Sequence, residues 1–195
     1  MNLPPLILAS ASPRREQLLR AAGLEFQVLA AGGPEVQPDF LTPHEAVQIN
    51  AYRKARVIAK QHPDCLVLGA DTEVCLGRKV FGKPKDMADA QRMLGALQGR
   101  THEVVTGVCL LHLRSHRQKA FAVSTTVTFR RLDAPAIERY LKRVNPLDKA
   151  GAYAIQHHGE MIVERLDGSF SNVVGLPVAE VMEELAGWGT AGRKT

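Results

Sequence analysis

The spacing of apolar and polar positions changes several times along this chain, and each change marks an element. Residues 6–9, "LILA", are a short continuous apolar run that predicts a buried strand. Ser12 and Pro13 then supply the N-cap and first turn of a helix in which Leu18, Leu19 and Ala22 recur at helical spacing, and Gly23 stands where a C-terminal cap belongs. "FQVLAA" reads as a second strand, and Thr42, Pro43 and Glu45 form a capping box opening a long helix to about Gln61. "CLVLGA" (65–70) predicts a buried strand whose end delivers Asp71. "VCLGRKVFGKP" reads as a hairpin or loop, and Asp86 to Leu97 as a helix closed by Gly99.

Two longer strands follow, "EVVTGVCLLHL" and "AFAVSTTVTFRRL", the second alternating through Phe121, Val123, Thr125, Val127 and Phe129. Asp133 and Pro135 open another helix. "DKAGAYAIQHHGE" (148–160) is irregular, "MIVERLDGSFSNVVG" reads as a hairpin around Asp167 and Gly168, and "PVAEVMEELAG" is a closing helix. Short buried strands mixed with long alternating ones and helices predict an α/β (mixed α+β) fold, a mixed sheet flanked by helices. The 195 residues suit one domain, with a division into two lobes around a cleft left open, and residues from about 188 to 195 read as a flexible tail.

Composition adds bounds. Apolar residues make up 45% and charged residues 23%, the balance of an ordinary globular protein. A formal charge of +5 is compatible with an anionic ligand without requiring one. The basic stretches "HLRSHRQK" (112–119) and "LKRV" (141–144) lack interleaved aromatics, which argues against a stable nucleic-acid partner. Cys65, Cys75 and Cys109 fall in apolar runs without C-x-x-C spacing, as expected of free thiols in a reducing compartment. The N-terminus lacks the character of a signal peptide, and no apolar stretch approaches the roughly 18 residues of a membrane span. A cytoplasmic protein without membrane association is expected.

Four stretches carry candidate chemistry. In "LASASPRR", Ser10, Ser12, Arg14 and Arg15 surround a helix start whose free N–H groups and dipole favour an anion, and the forked guanidiniums suit phosphate oxygens. An ordinary capped strand–helix turn with solvated arginines is the competing reading. Asp71, just past an apolar strand, suits a divalent metal or the proton of a water, or else ends the strand as a turn former. "GRKVFGKP" has the Walker A spacing, but Pro84 replaces the magnesium-binding hydroxyl, so only Lys83 keeps value, as a point charge near phosphate. In "DKAGAYAIQHHGE" Gln156 is a candidate base reader, since its amide both donates and accepts. His157 and His158 are adjacent and would point apart in extended chain, which disfavours a two-histidine metal site.

Taken in order, "LASASPRR", Glu35, "RKA", "GADT", "GKPKD", "GRTHEVVTGV", "DKAGAYAIQ" and "VVGLP" resemble the Maf family of nucleoside triphosphate pyrophosphatases over nearly the whole chain. The resemblance implies an elongated, Maf/ITPase-like mixed sheet with a central cleft and a homodimer. It also implies magnesium- or manganese-dependent hydrolysis between the α and β phosphates of a nucleoside triphosphate. By the same resemblance Asp71 is the general base or metal-organising carboxylate, Glu35 a second metal carboxylate, and Arg15, Lys54 and Lys83 the site cations. Arg14, Thr72 and Gln156 resemble the branch acting on dTTP, UTP and modified pyrimidine nucleotides; the branch acting on 7-methyl-GTP typically has Trp, Gln and Glu there. This chain departs from the family pattern at His157, where glycine is usual, and at Pro34 before Glu35. A non-catalytic nucleotide-binding regulator of septum formation is the alternative of a different class.

Overall fold

Strand-forming runs and capped helices alternate along the chain as their patterning dictates. The computed structural model describes residues 3–32 and 40–189; Glu35 and residues 190–195 of the expected tail lie outside the described residues. Among the described residues seven strands and six α-helices follow one another: β1 (Leu6–Leu8), α1 (Pro13–Ala21), β2 (Gln27–Val28), α2 (Pro43–Gln61), β3 (Leu66–Leu76), β4 (Lys79–Phe81), α3 (Met87–Leu97), β5 (Thr101–His112), β6 (Arg117–Phe129), α4 (Ala134–Leu141), β7 (Val163–Asp167), α5 (Phe170–Val174) and α6 (Val178–Ala186). The sheet is mixed, in the order β2-β1-β3-β5-β6-β7, with β4 on β3. β1 runs parallel to β2 and β3, whereas the β3/β4 and β6/β7 pairs are antiparallel. The mixed α/β class expected from the sequence is the one found.

The chain forms two compact units. The first comprises the described residues up to Asp71, Thr106–Val123, and those from Gly175 onward. Within it β1 and the parts of β3 and β5 it contains are buried on both faces, so adjacent residues enter different cores. Leu6, Leu8, Leu66, Leu68, Val108 and Leu110 pack with Leu19 of α1 and with Val181, Leu185 and Trp188, while Ile7, Val67 and Cys109 pack with Ala51, Ala55 and Ile58 of α2. Each such leucine contributes about 1.5–3 kcal/mol by its burial. Trp188, placed by the sequence at the start of the tail, is buried instead, with the Arg117 guanidinium 4.3 Å from its ring centre. The basic stretch around it is tied down: Arg114 pairs with Asp64 at 2.7 Å and Lys119 with Glu184 at 2.9 Å.

The second unit comprises Thr72–Val105 and Ser124–Val174. Its core joins Phe81, Met93, Leu94 and Leu97 to Val127 and Phe129 of β6, Ile137 and Tyr140 of α4, and Tyr153. Asp86 and Asp133 cap α3 and α4 by accepting the amides of Asp89 and Ala136. Cys75 and Cys109 are buried thiols whose pKa is pushed up to about 12 by that burial, while Cys65 is half-buried. No helix among the described residues is long and apolar enough to cross a membrane.

Three local expectations change. β3 does not stop at Ala70 but runs on to Leu76, so Asp71 sits in mid-strand. What ends near Asp71 is the pairing of β1, whose last partners are Leu8 and Leu68. Asp167 and Gly168 do not turn a hairpin, because the Ser169 hydroxyl accepts the Asn172 amide at 3.2 Å and starts α5 instead. Ser12 flanks α1 without a side-chain cap; its own amide donates to the Ser10 hydroxyl at 3.2 Å.

Candidate active site

The capping box at Thr42 and Glu45 is present and starts α2 where the sequence places it. From that start, helical spacing puts Ala46, Val47, Asn50, Ala51 and Ala55 on one buried face, with Lys54 one turn beyond Asn50. At two glycines this face meets the backbone of the sheet with no side chain between. A Cβ on Gly69 of β3 would overlap the Ala51 carbonyl oxygen and come within 2.8 Å of the Ala55 amide nitrogen. One on Gly107 of β5 would overlap the Val47 carbonyl. Two bare glycines on neighbouring strands therefore let the helix backbone settle directly on the sheet, and that approach brings its short polar side chains within reach of β3.

Asp71 is what they reach. Its carboxylate is almost completely buried. Lys54 Nζ lies 2.6 Å from Oδ1, and Asn50 Nδ2 donates to Oδ2 at 3.0 Å. A partner on each oxygen fixes the orientation of the carboxylate. Lys54 itself is partly exposed, a cation balanced at the surface end of the pair.

The serine and arginine stretch forms a second cluster of the first unit. Arg15 is buried, donating through Nε to the Gly175 carbonyl at 2.8 Å and through Nη1 to Ser10 Oγ at 3.2 Å. Ser10 Oγ thus accepts from both Arg15 and the Ser12 amide, so its own O–H proton is the remaining hydrogen-bonding function. The two clusters are neighbours by register. Ala9 donates to the Leu68 carbonyl at 2.8 Å, so the chain leaves β1 toward Ser10 beside the point where β3 carries Ala70 and Asp71. Arg14 is half-buried at the start of α1.

In the second unit, Thr72 is half-buried on β3, Lys83 is exposed just after β4, and Gln156 is half-buried in the turn at 155–158. The loops bearing Lys83 and Gln156 are joined, since the Gly151 amide donates to the Gly82 carbonyl at 3.1 Å. His157 and His158 are not in extended chain; His158 has φ +55 and its Nδ1 lies 3.6 Å from Glu160 Oε1.

Among the described residues no three histidine, cysteine or acidic side chains gather into a metal-binding group. A single oxygen-donor carboxylate, Asp71, suits magnesium or manganese, hard cations often held through one or two carboxylates plus substrate phosphates. The sequence reading missed Asn50. Its signal was a polar residue at a core position of an otherwise alanine- and valine-lined helix face, which burial makes costly unless it has a partner.

Several known proteins are similar to this chain over nearly its whole length. A protein of Akkermansia muciniphila named dTTP/UTP pyrophosphatase is 44% identical over 187 residues, 96% of this chain and 98% of its own length. One of the same name from Myxococcus xanthus is 46% identical, covering 91% of this chain and 89% of its own. Another, from Pelotomaculum thermopropionicum, is 43% identical over 94% and 96%. The family model described as Maf-like protein matches residues 5–188, and with so much of its length matched the chain belongs to the Maf-like protein family.

Proposed function

We propose that this chain is a nucleoside triphosphate pyrophosphatase that hydrolyses dTTP and UTP to the monophosphate and pyrophosphate. The observation that carries the reading is the buried Asp71 carboxylate, oriented from two sides by Lys54 and Asn50. Relatives named for this reaction match nearly the whole chain. A water attacks the α-phosphorus, the bond from that phosphorus to the bridging oxygen breaks, and pyrophosphate leaves. Asp71 orients the water and takes its proton on a carboxylate oxygen. Lys54, Arg15 and Lys83 offset the charge of the triphosphate, and the Ser10 hydroxyl and the start of α1 donate to phosphate oxygens. Arg14, Thr72 and Gln156 set the choice of base.

Magnesium or manganese, held by Asp71 and by Glu35, would supply further neutralisation of phosphate charge. The enzyme acts in the cytoplasm as a homodimer in this reading, which the family resemblance supports. The test is pyrophosphate release from dTTP, UTP, CTP, GTP, ATP and 7-methyl-GTP with either metal, native protein against Asp71→Asn. Turnover of dTTP and UTP that falls a hundredfold or more in the variant is expected. Preference for 7-methyl-GTP overturns the substrate assignment, and no turnover of any nucleotide overturns the reaction.

A further inference from the structure

The segment from Asp148 to His158 has little regular structure, yet its backbone is fixed in the second unit at several separate points. Gly151 takes φ +69, and a Cβ there would come within 3.1 Å of the Val74 side chain. Its amide is bound to Gly82, as described. Tyr153 is buried with its hydroxyl 3.0 Å from His102 Nε2, and its ring meets Phe129 edge-on at 4.8 Å. Ala154 is engaged twice by one phenol: its N–H donates to Tyr140 Oη at 2.9 Å, and its carbonyl accepts from the same hydroxyl at 3.2 Å. Tyr140, on α4, is completely buried.

A phenol deep in a core that spends its hydroxyl on both backbone groups of one loop residue acts as a clamp. Breaking it would leave an amide and a carbonyl buried without partners, so the loop stays where the core puts it. We infer that Tyr140 and Tyr153 are positioning residues for base selection: by holding residues 153 and 154 they fix the place of Gln156, two residues on, relative to the Lys83 loop tied to the same segment at Gly82. This rests on the reading of the chain as a nucleotide pyrophosphatase with Gln156 at the base. Uracil and thymine present an acceptor at O4 and a donor at N3, while cytosine presents the reverse, and an amide both donates and accepts. Discrimination by such a group requires its carrier to be held to about 0.5 Å. Neither tyrosine touches the substrate; each acts through Gln156.

The test measures kcat and KM for UTP and CTP in the native protein, in Tyr140→Phe, Tyr153→Phe and Gln156→Ala, and in the double variant Tyr140→Phe with Gln156→Ala. Each tyrosine variant is expected to lower the UTP-over-CTP ratio of kcat/KM by about tenfold, chiefly through KM for UTP. In the Gln156→Ala background the same change is expected to leave the ratio where Gln156→Ala put it. A purely structural role predicts equal losses for both nucleotides, in either background. Tyr153→Phe leaves the Tyr140 clamp on Ala154 in place and carries the test should Tyr140→Phe fail to give a cooperative melt. Folded variants with an unchanged ratio, or a native ratio near one, overturn this inference while leaving the reaction intact. A native protein that hydrolyses neither nucleotide overturns both.

Discussion

The carboxylate site of the first unit and the Gln156 loop of the second are held by opposite means. Asp71, Asn50 and Lys54 all stand on regular elements, and their meeting follows from helical spacing plus the close seat that Gly69 and Gly107 allow. The loop has no such periodicity and is held by side chains distant in sequence, Tyr140 fourteen residues from Ala154 and His102 fifty-one from Tyr153. Groups that carry out one fixed chemical step gain from a rigid frame, whereas a loop anchored at a few points allows recognition to change without disturbing that frame.

The largest effect that would break or sharpen this contrast is at Lys54. Lys54→Met removes the cation from a buried carboxylate, so a rate loss of a hundredfold or more is expected, together with about 3–5 kcal/mol of stability. The rate loss should be equal for UTP and CTP, because nothing in this cluster reads the base. Gln156→Ala, by contrast, should shift the ratio of the two substrates with little change in stability. Steady-state kinetics on both nucleotides and urea unfolding check the pair, and a Lys54 variant that alters base preference would erase the distinction.

Acid separates the two regions next. His102 is buried, and that burial lowers its pKa from an ordinary 6.5 to about 4. Between those values the unfolded chain binds a proton that the folded chain does not, so stability rises with pH across this window. It is fully present above about 6.5 and lost as pH falls toward 4, by an amount on the order of 3 kcal/mol. His102→Gln should flatten this slope. Urea unfolding between pH 7 and 4 checks it, and native and variant slopes that coincide would show that another group carries the acid sensitivity.

The same division governs what the sequence discloses. Thr42, Pro43 and Glu45 announce α2 because capping is a local matter, whereas Lys54 was singled out only by the family resemblance. Asp71 was legible as a candidate, but its place in mid-strand was not. The apolar run stops at Ala70 while β3 continues through Thr72 and Glu73, and Cys75 pairs with Val80 of β4. Asp167 and Gly168 signal a hairpin, yet the Ser169 hydroxyl competes for the chain and starts a helix. The clamps on the loop were invisible for a different reason. Tyr140 and Tyr153 look like core aromatics, and only the folded arrangement shows where their hydroxyls go.

The smallest effect tests whether the glycine seat matters to the chemistry or only to packing. Gly69→Ala drives a methyl group against the Ala51 carbonyl, and since the obstacle is helix backbone and not a side-chain end, α2 must lift locally. Overpacking of this kind costs about 1–3 kcal/mol. Asn50 and Lys54 sit on the turns flanking Ala51, so the lift lengthens their contacts with Asp71 before it loosens anything in the second unit. The expected signature is therefore a fall in kcat that is equal for UTP and CTP, with the UTP-over-CTP ratio kept. Hydrogen exchange should quicken in α2 and leave the 151–155 backbone amides protected as in the native chain. A variant that loses stability yet keeps its native kcat would mean that the carboxylate cluster adjusts to the helix, and that the rigidity assigned to it resides in β3 alone.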